Sequence, residues 1–343
     1  MELFKRFPKF RLLLKDEPIV PGDVRSNYPS FAADFEILDK ELLPLFQTLD
    51  KEASIQQNSY RWTYVILIFG GSLATILGIA QLAFLDASWI GLVEALVSAV
   101  VTATTALQSR KQHERYMNAR LAAERLRSEY FLFLGHFAQY ANDQDRVQKL
   151  IQHVAEIKVK GENDNTVWQP TEAKLPGESA RINVKLSDQL NNDQFFQLYN
   201  KYRYEDQRKF YDGRRDEFEK AQTQAIWISI GSMFLAAVVG VIEQFNIPWL
   251  KLTCLLLAAI FPVLSTTIAA YSTLYGFEQQ AKLYQDTINA LLQAHAFSPD
   301  LRSGLSKMEF AQALDKYVHE VEQVFLIEQG QWGQLAKKMK RPE

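Results

Sequence analysis

Five polar side chains share one face of a single apolar stretch. Glu94, Ser98, Thr102, Thr105 and Ser109 lie four, four, three and four residues apart. At 3.6 residues per turn they draw one polar stripe along a helix. Leu92, Leu96, Val100 and Ala103 take the opposite side. A carboxylate inside a membrane is costly and turns toward protein or water rather than lipid. Copies of Glu94 arranged in a ring would favour cations, with the hydroxyls lining a pore below it. The same residues also allow a structural reading, in which Glu94 snorkels or pairs and the hydroxyls bond back to their own helix.

Catalytic chemistry has no comparable set. His113, His136, His153, His295 and His319 are scattered and form no HExxH pair. There is no Walker A loop, no GxGxxG after a strand and no GxSxG elbow. The single cysteine, Cys254, excludes an intrachain disulfide framework and a multi-Cys zinc site. The residues therefore point to no enzyme, no cofactor and no metal. A formal net charge of −2 supplies no global basic field for nucleic acid.

The stripe belongs to one of four stretches almost free of charge: residues 62–85, 87–109, 221–242 and 252–277. Glu94 is their one charged residue. A bilayer core of about 30 Å needs about 20 helical residues, so each stretch is long enough to span. The turns within each pair, at Asp86 and at 243–251, are short enough to force antiparallel hairpins. Counted over the outer flanks, twelve Lys and Arg face one, Lys251, in the turns. The positive-inside rule then places both termini and all extramembrane segments in the cytoplasm. Trp62, Trp89 and Trp249 fall where aromatic rings favour the headgroup level. The start, MELFKRFPKFRLLLKDE, lacks the apolar core of a secretory signal and suits a basic, amphipathic surface segment.

The halves repeat one plan, in which a charged, aromatic helix enters a hairpin and a second charged helix leaves it. The expected divisions are an amino-terminal segment 1–33, a first unit 34–158, a linker 159–186, a second unit 187–336 and a tail 337–343. Val167–Trp168 and Ile182–Lys185 are candidate short strands in the linker. Gly70, Ala74 and Gly78, and likewise Ser232, Ala236 and Gly240, have the small-xxx-small spacing that lets membrane helices approach. Pro262 and Gly213 are candidate hinges, one kinking the fourth span and one breaking the helix that enters the second hairpin. Tyr199, Arg203, Gln207, Tyr211 and Arg215 recur every four residues along that helix. Ser306 and Glu309 have capping-box spacing. The helix after them presents Phe310, Leu314, Tyr317, Val321, Val324 and Phe325 as a packing stripe.

The run from Asn118 to Tyr130, with Arg120, Glu124, Glu129 and Tyr130, resembles the helix that follows the hairpin in SLATT domains, the SMODS- and SLOG-associating two-transmembrane effector domains. The second copy is similar to another subtype: Arg203, Gln207 and Tyr211 precede its hairpin, and Glu320, Glu328 and Trp332 follow it. The resemblance implies a prokaryotic effector that permeabilises the inner membrane in antiviral conflict systems. It also implies coupling to an upstream nucleotide-signal synthetase or sensor protein. The expected fold is an all-α membrane protein, with two transmembrane hairpins and long cytoplasmic helices forming a bundle. The expected partners are the lipid bilayer and further copies of the chain. The alternative function is a non-conducting, membrane-anchored scaffold.

Overall fold

The computed structural model describes residues 18–84, 87–107, 111–142, 144–162, 189–245 and 247–338. All regular elements among the described residues are helical, as the spans and packing stripes require. Ser109, the two candidate strands, most of the linker, the first 17 residues and the last five lie outside the described residues.

The order is α1 (Gly22–Arg25), α2 (Ala32–Glu41), α3 (Leu43–Ala83), α4 (Ser88–Leu107), α5 (Lys111–Leu134), α6 (Arg146–Glu162), α7 (Gln189–Tyr199), a π-helical turn (Asn200–Glu205), α8 (Asp206–Glu243), α9 (Pro248–Tyr275), α10 (Phe277–His295) and α11 (Lys307–Lys338). The chain divides into two compact units. Among the described residues, those within 58–109 and 214–282 form the membrane unit, and those within 18–57, 110–213 and 283–338 form a helical bundle.

The membrane unit contains the four apolar segments. Hardly any of their residues are buried inside the chain. Leu82, Trp227 and Phe234 are 78%, 69% and 67% exposed, a surface that a bilayer covers and water does not. The protein is therefore a multi-pass membrane protein. In the first hairpin α3 and α4 run antiparallel. A Cβ added to Gly70 would stand 2.6 Å from Val101 Cγ2, so the helices meet there with no room for a side chain. In the second hairpin Ser229 and Ser265 each donate a hydroxyl to the other's carbonyl, at 3.5 and 3.3 Å. The Ser72 and Thr267 hydroxyls, 2.5 Å apart, join α3 to α9, with Phe69 edge-on to Tyr271 beside them.

In the bundle, α5 packs along α6 and against α2 and α11. Its core is aromatic: Tyr130, Phe131, Phe133, Tyr140, Tyr199, Tyr204 and Tyr317 are all buried. Asp34 on α2 accepts two hydrogen bonds from Arg146 on α6, and Gln57 on α3 donates to Tyr116 on α5 at 2.8 Å. The capping box forms before α11. Ser306 N donates to Glu309 Oε2 at 2.8 Å, and Glu309 N donates to Ser306 Oγ at 3.3 Å.

The helix break at Gly213 needs correction. Gly213 lies inside α8, which runs unbroken through it. A helical glycine costs about 1 kcal/mol, and burial of Tyr211 and Phe218 on either side outweighs that. The departure from regular geometry falls earlier, at Asn200–Glu205. Pro262 lies within α9.

Candidate functional sites in the membrane unit and the bundle

Glu94 lies in the groove between α3 and α4. A Cβ on Gly78 would stand 3.3 Å from its Oε1. One turn away the arrangement is mirrored: a Cβ on Gly91 would stand 2.7 Å from Gln81 Nε2. Each helix thus carries a glycine three residues before its polar side chain, and each polar side chain rests on the other helix's glycine. No described Lys or Arg forms an ion pair with Glu94. The pairs 70 with 101, 78 with 94 and 81 with 91 agree to within one residue on an antiparallel register, which brings Ala74 near the level of Ser98.

The rest of the stripe divides. Ser98 is half-buried, whereas Thr102 and Thr105 are exposed. Thr105 donates to the Val101 carbonyl at 2.9 Å, and its neighbour Thr104 does the same to Val100 at 2.8 Å. In the second hairpin Ser232 is buried and Ala236 half-buried. Gly240 has nothing within 4 Å of the place where a Cβ would stand, so it makes no close helix contact. Among the described residues, glycines of the two sets in close contact with the neighbouring helix fall in the first hairpin.

The bundle holds a second constellation. Arg203, on the π turn, and Glu322, on α11, are both 0% exposed. Arg203 Nε donates to Glu322 Oε1 and Nη2 to Oε2, each at 2.8 Å. Ser128 on α5 receives a bond from Nη2 at 2.8 Å and donates to Glu322 Oε2 at 2.6 Å. Tyr199 donates to Glu322 Oε1 at 2.9 Å. The guanidinium carbon sits 4.0 Å above the Phe325 ring. Burial disfavours the Arg203 cation, but Glu322 more than offsets that and raises its pKa. Burial, with the Glu322 charge, also holds the Tyr199 phenol protonated well above its ordinary range. One donor is left over: Arg203 Nη1 has no hydrogen-bond partner and stands 3.9 Å from Glu124 Oε2. An unmade buried bond of this kind costs about 1–3 kcal/mol.

Glu124 is shared. Arg120 Nη2 and Arg127 Nη1 approach its Oε1 at 3.3 and 3.7 Å. Glu129 accepts from Gln139 at 2.7 Å and Tyr140 at 2.5 Å, and its carboxylate lies 3.5 Å from His153 Nδ1. That hydrogen-bonded contact raises the His153 pKa above its ordinary 6.5. Tyr130 is buried beside the Arg25 guanidinium. Gln207 and Tyr211 are buried, Tyr211 lying between Tyr284 and Phe325. Glu328 is buried and acts on Arg120 and Tyr211, while Glu320 is half-buried. Trp332 lies on α11, its side chain outside the described residues. Sequence reasoning brings Arg203 and Glu124 forward but passes over Glu322, the hub. Its one signal is an acid flanking an apolar stripe, between Val321 and the buried Phe325.

Residues 45–148 match the family of proteins of unknown function DUF4231. Residues 199–332 match SMODS and SLOG-associating 2TM effector domain 1. No curated protein and no solved structure matches the chain. The second match takes in Arg203, the second hairpin and Glu322. Residues 199–332 are thus similar to a two-transmembrane effector domain of the SLATT family, whose members are prokaryotic and associated with conflict systems.

Proposed function

We propose that this protein is an antiviral effector that oligomerises in the prokaryotic inner membrane and permeabilises it when an upstream signal alters its helical bundle. One observation carries the reading: the membrane unit holds a carboxylate, Glu94, set against Gly78 of the neighbouring span. An acid at that position is expensive. It suits a polar path completed by further chains, with exposed Thr102 and Thr105 on the same helix. Four spans are too few to enclose a wide aqueous path alone, so conduction requires a closed ring of copies. The signal would come from a nucleotide-signal synthetase or sensor protein, and the chain would act without catalysis and without nucleic acid. The first half, 45–148, serves in this reading as a second SLATT-like unit in tandem with 199–332. The charge asymmetry supports both termini in the cytoplasm.

The alternative is a non-conducting scaffold that presents the bundle at the membrane. It is favoured by the α4 threonines, which bond back to their own helix. Dye uptake by cells expressing the protein, with and without phage infection, separates the two. Uptake on infection is expected for the effector, and intact membranes with unchanged localisation for the scaffold. Glu94→Gln should keep protein abundance and reduce cation permeability or toxicity. Normal abundance with unchanged permeability would remove Glu94 from the path.

A further inference from the structure

The ladder Tyr199, Arg203, Gln207 and Tyr211 is buried along its whole length. Residues four apart in a regular α-helix drift by about 40° per step, so three steps would carry Tyr211 well away from the face that Tyr199 occupies. The π turn at Asn200–Glu205 corrects this. Its wider, i to i+5 bonding rotates less per residue. It keeps Tyr199 and Arg203 on Glu322 while Gln207 and Tyr211 stay in the core. It is closed on its other sides by Tyr317, which donates to Asn200 Oδ1 at 2.9 Å, and by His295 stacked 4.7 Å from Tyr204. Immediately after it α8 runs to Glu243 as one helix.

The turn is thus an irregular segment with a regular alternative, held by a buried charge network that still leaves Arg203 Nη1 without a hydrogen bond. Networks of this kind are poor sources of stability compared with apolar packing. This one also joins the two halves of the sequence. Ser128 and Glu124 come from the first, and Tyr199, Arg203 and Glu322 from the second.

We infer that the Asn200–Glu205 turn and the Arg203–Glu322–Ser128 network form a latch that holds the bundle in its resting arrangement. Relaxation of the turn to a regular α-helix withdraws Arg203 from Glu322 and releases α5 from α11. The turn is the bistable element that a trigger would bias. The latch goes beyond the pore reading and rests on it only for its consequence at the membrane.

Two full-length variants test it. Deletion of Lys201, an exposed residue inside the turn, removes the extra residue and imposes the regular helix. The combined Arg203→Met, Glu322→Leu, Ser128→Ala and Tyr199→Phe variant replaces the network with apolar packing and locks the bundle. Hydrogen exchange in mild detergent is read around Ser128 and Glu322, and dye uptake is read in cells. The deletion should speed exchange at both places by about tenfold or more and give uptake without infection. The apolar variant should slow exchange and abolish uptake on infection. Should the deletion fail to accumulate, the apolar variant decides alone. Exchange equal to wild type in the apolar variant, or uptake on infection equal to that of a wild type that does take up dye, at normal abundance, overturns the latch. If exchange responds in both variants but uptake is absent everywhere, including infected wild type, the latch stands and the pore reading falls.

Discussion

His153 and Arg203 show how differently two charged contacts in the same bundle should respond to change. The Glu129 carboxylate raises the His153 pKa, so the ring stays charged to a higher pH in the folded chain than in the unfolded one. Its contribution to stability is complete below the ordinary value of 6.5 and is lost as pH rises through the raised value. The melting temperature should therefore decline from pH 6 to pH 8, and His153→Gln should flatten that decline. The ring is 34% exposed, so screening keeps the effect below about 1 kcal/mol. A decline as steep in His153→Gln as in wild type would assign the pH dependence elsewhere. Arg203→Ala is a larger event, because it strands the fully buried Glu322 at a cost of about 3–5 kcal/mol. That is a large share of a typical domain's stability, so the variant should accumulate poorly and melt early.

Among the elements, the α3–α4 hairpin makes the sharpest geometric claim. Its register brings Ala74 near the level of Ser98. Cysteines at these two positions, with Cys254→Ser, should therefore cross-link in the membrane. Gly70→Leu should abolish the cross-link, because Val101 already occupies the space beyond Gly70. Cross-linking that survives Gly70→Leu would show that the two helices do not meet there. The four spans are legible in the sequence because bilayer thickness sets their length whatever surrounds them. The α11 capping box is legible because both its partners are local. The π turn is not, since a ladder spaced by four reads as an ordinary helix until Glu322 fixes which side must face inward. Glu322 is 119 residues from Arg203, and no local spacing connects them. Gly213 misleads for the converse reason, because propensity is local and the burial that overrides it is not. The stripe on α4 is readable as periodicity, yet its division into a stowed carboxylate and exposed threonines depends on where α3 lies.

For the whole molecule, orientation is the property that a single labelling series can test. Tags at either terminus and within residues 161–176 should be inaccessible from outside intact cells. A cysteine at Ser88, at the turn end of α4, should react with an external, membrane-impermeant reagent. External labelling of the 161–176 segment would invert the topology and, with it, the compartment in which the latch and any partner reside.

Glu94 and Gly78 also bear on how the chain enters the membrane. An acid at the centre of a lone apolar helix adds about 2.5–3.5 kcal/mol to the cost of insertion, and Glu94, in the second turn of α4, bears part of that. The ribosome makes α3 first, so the Gly78 face that receives Glu94 precedes α4 in synthesis. The two helices should therefore partition into lipid as a pair, with α3 acting as the receptor for its successor. A bulky residue at Gly78 would then harm biogenesis before folding, leaving α4 stalled outside the bilayer rather than misplaced within it.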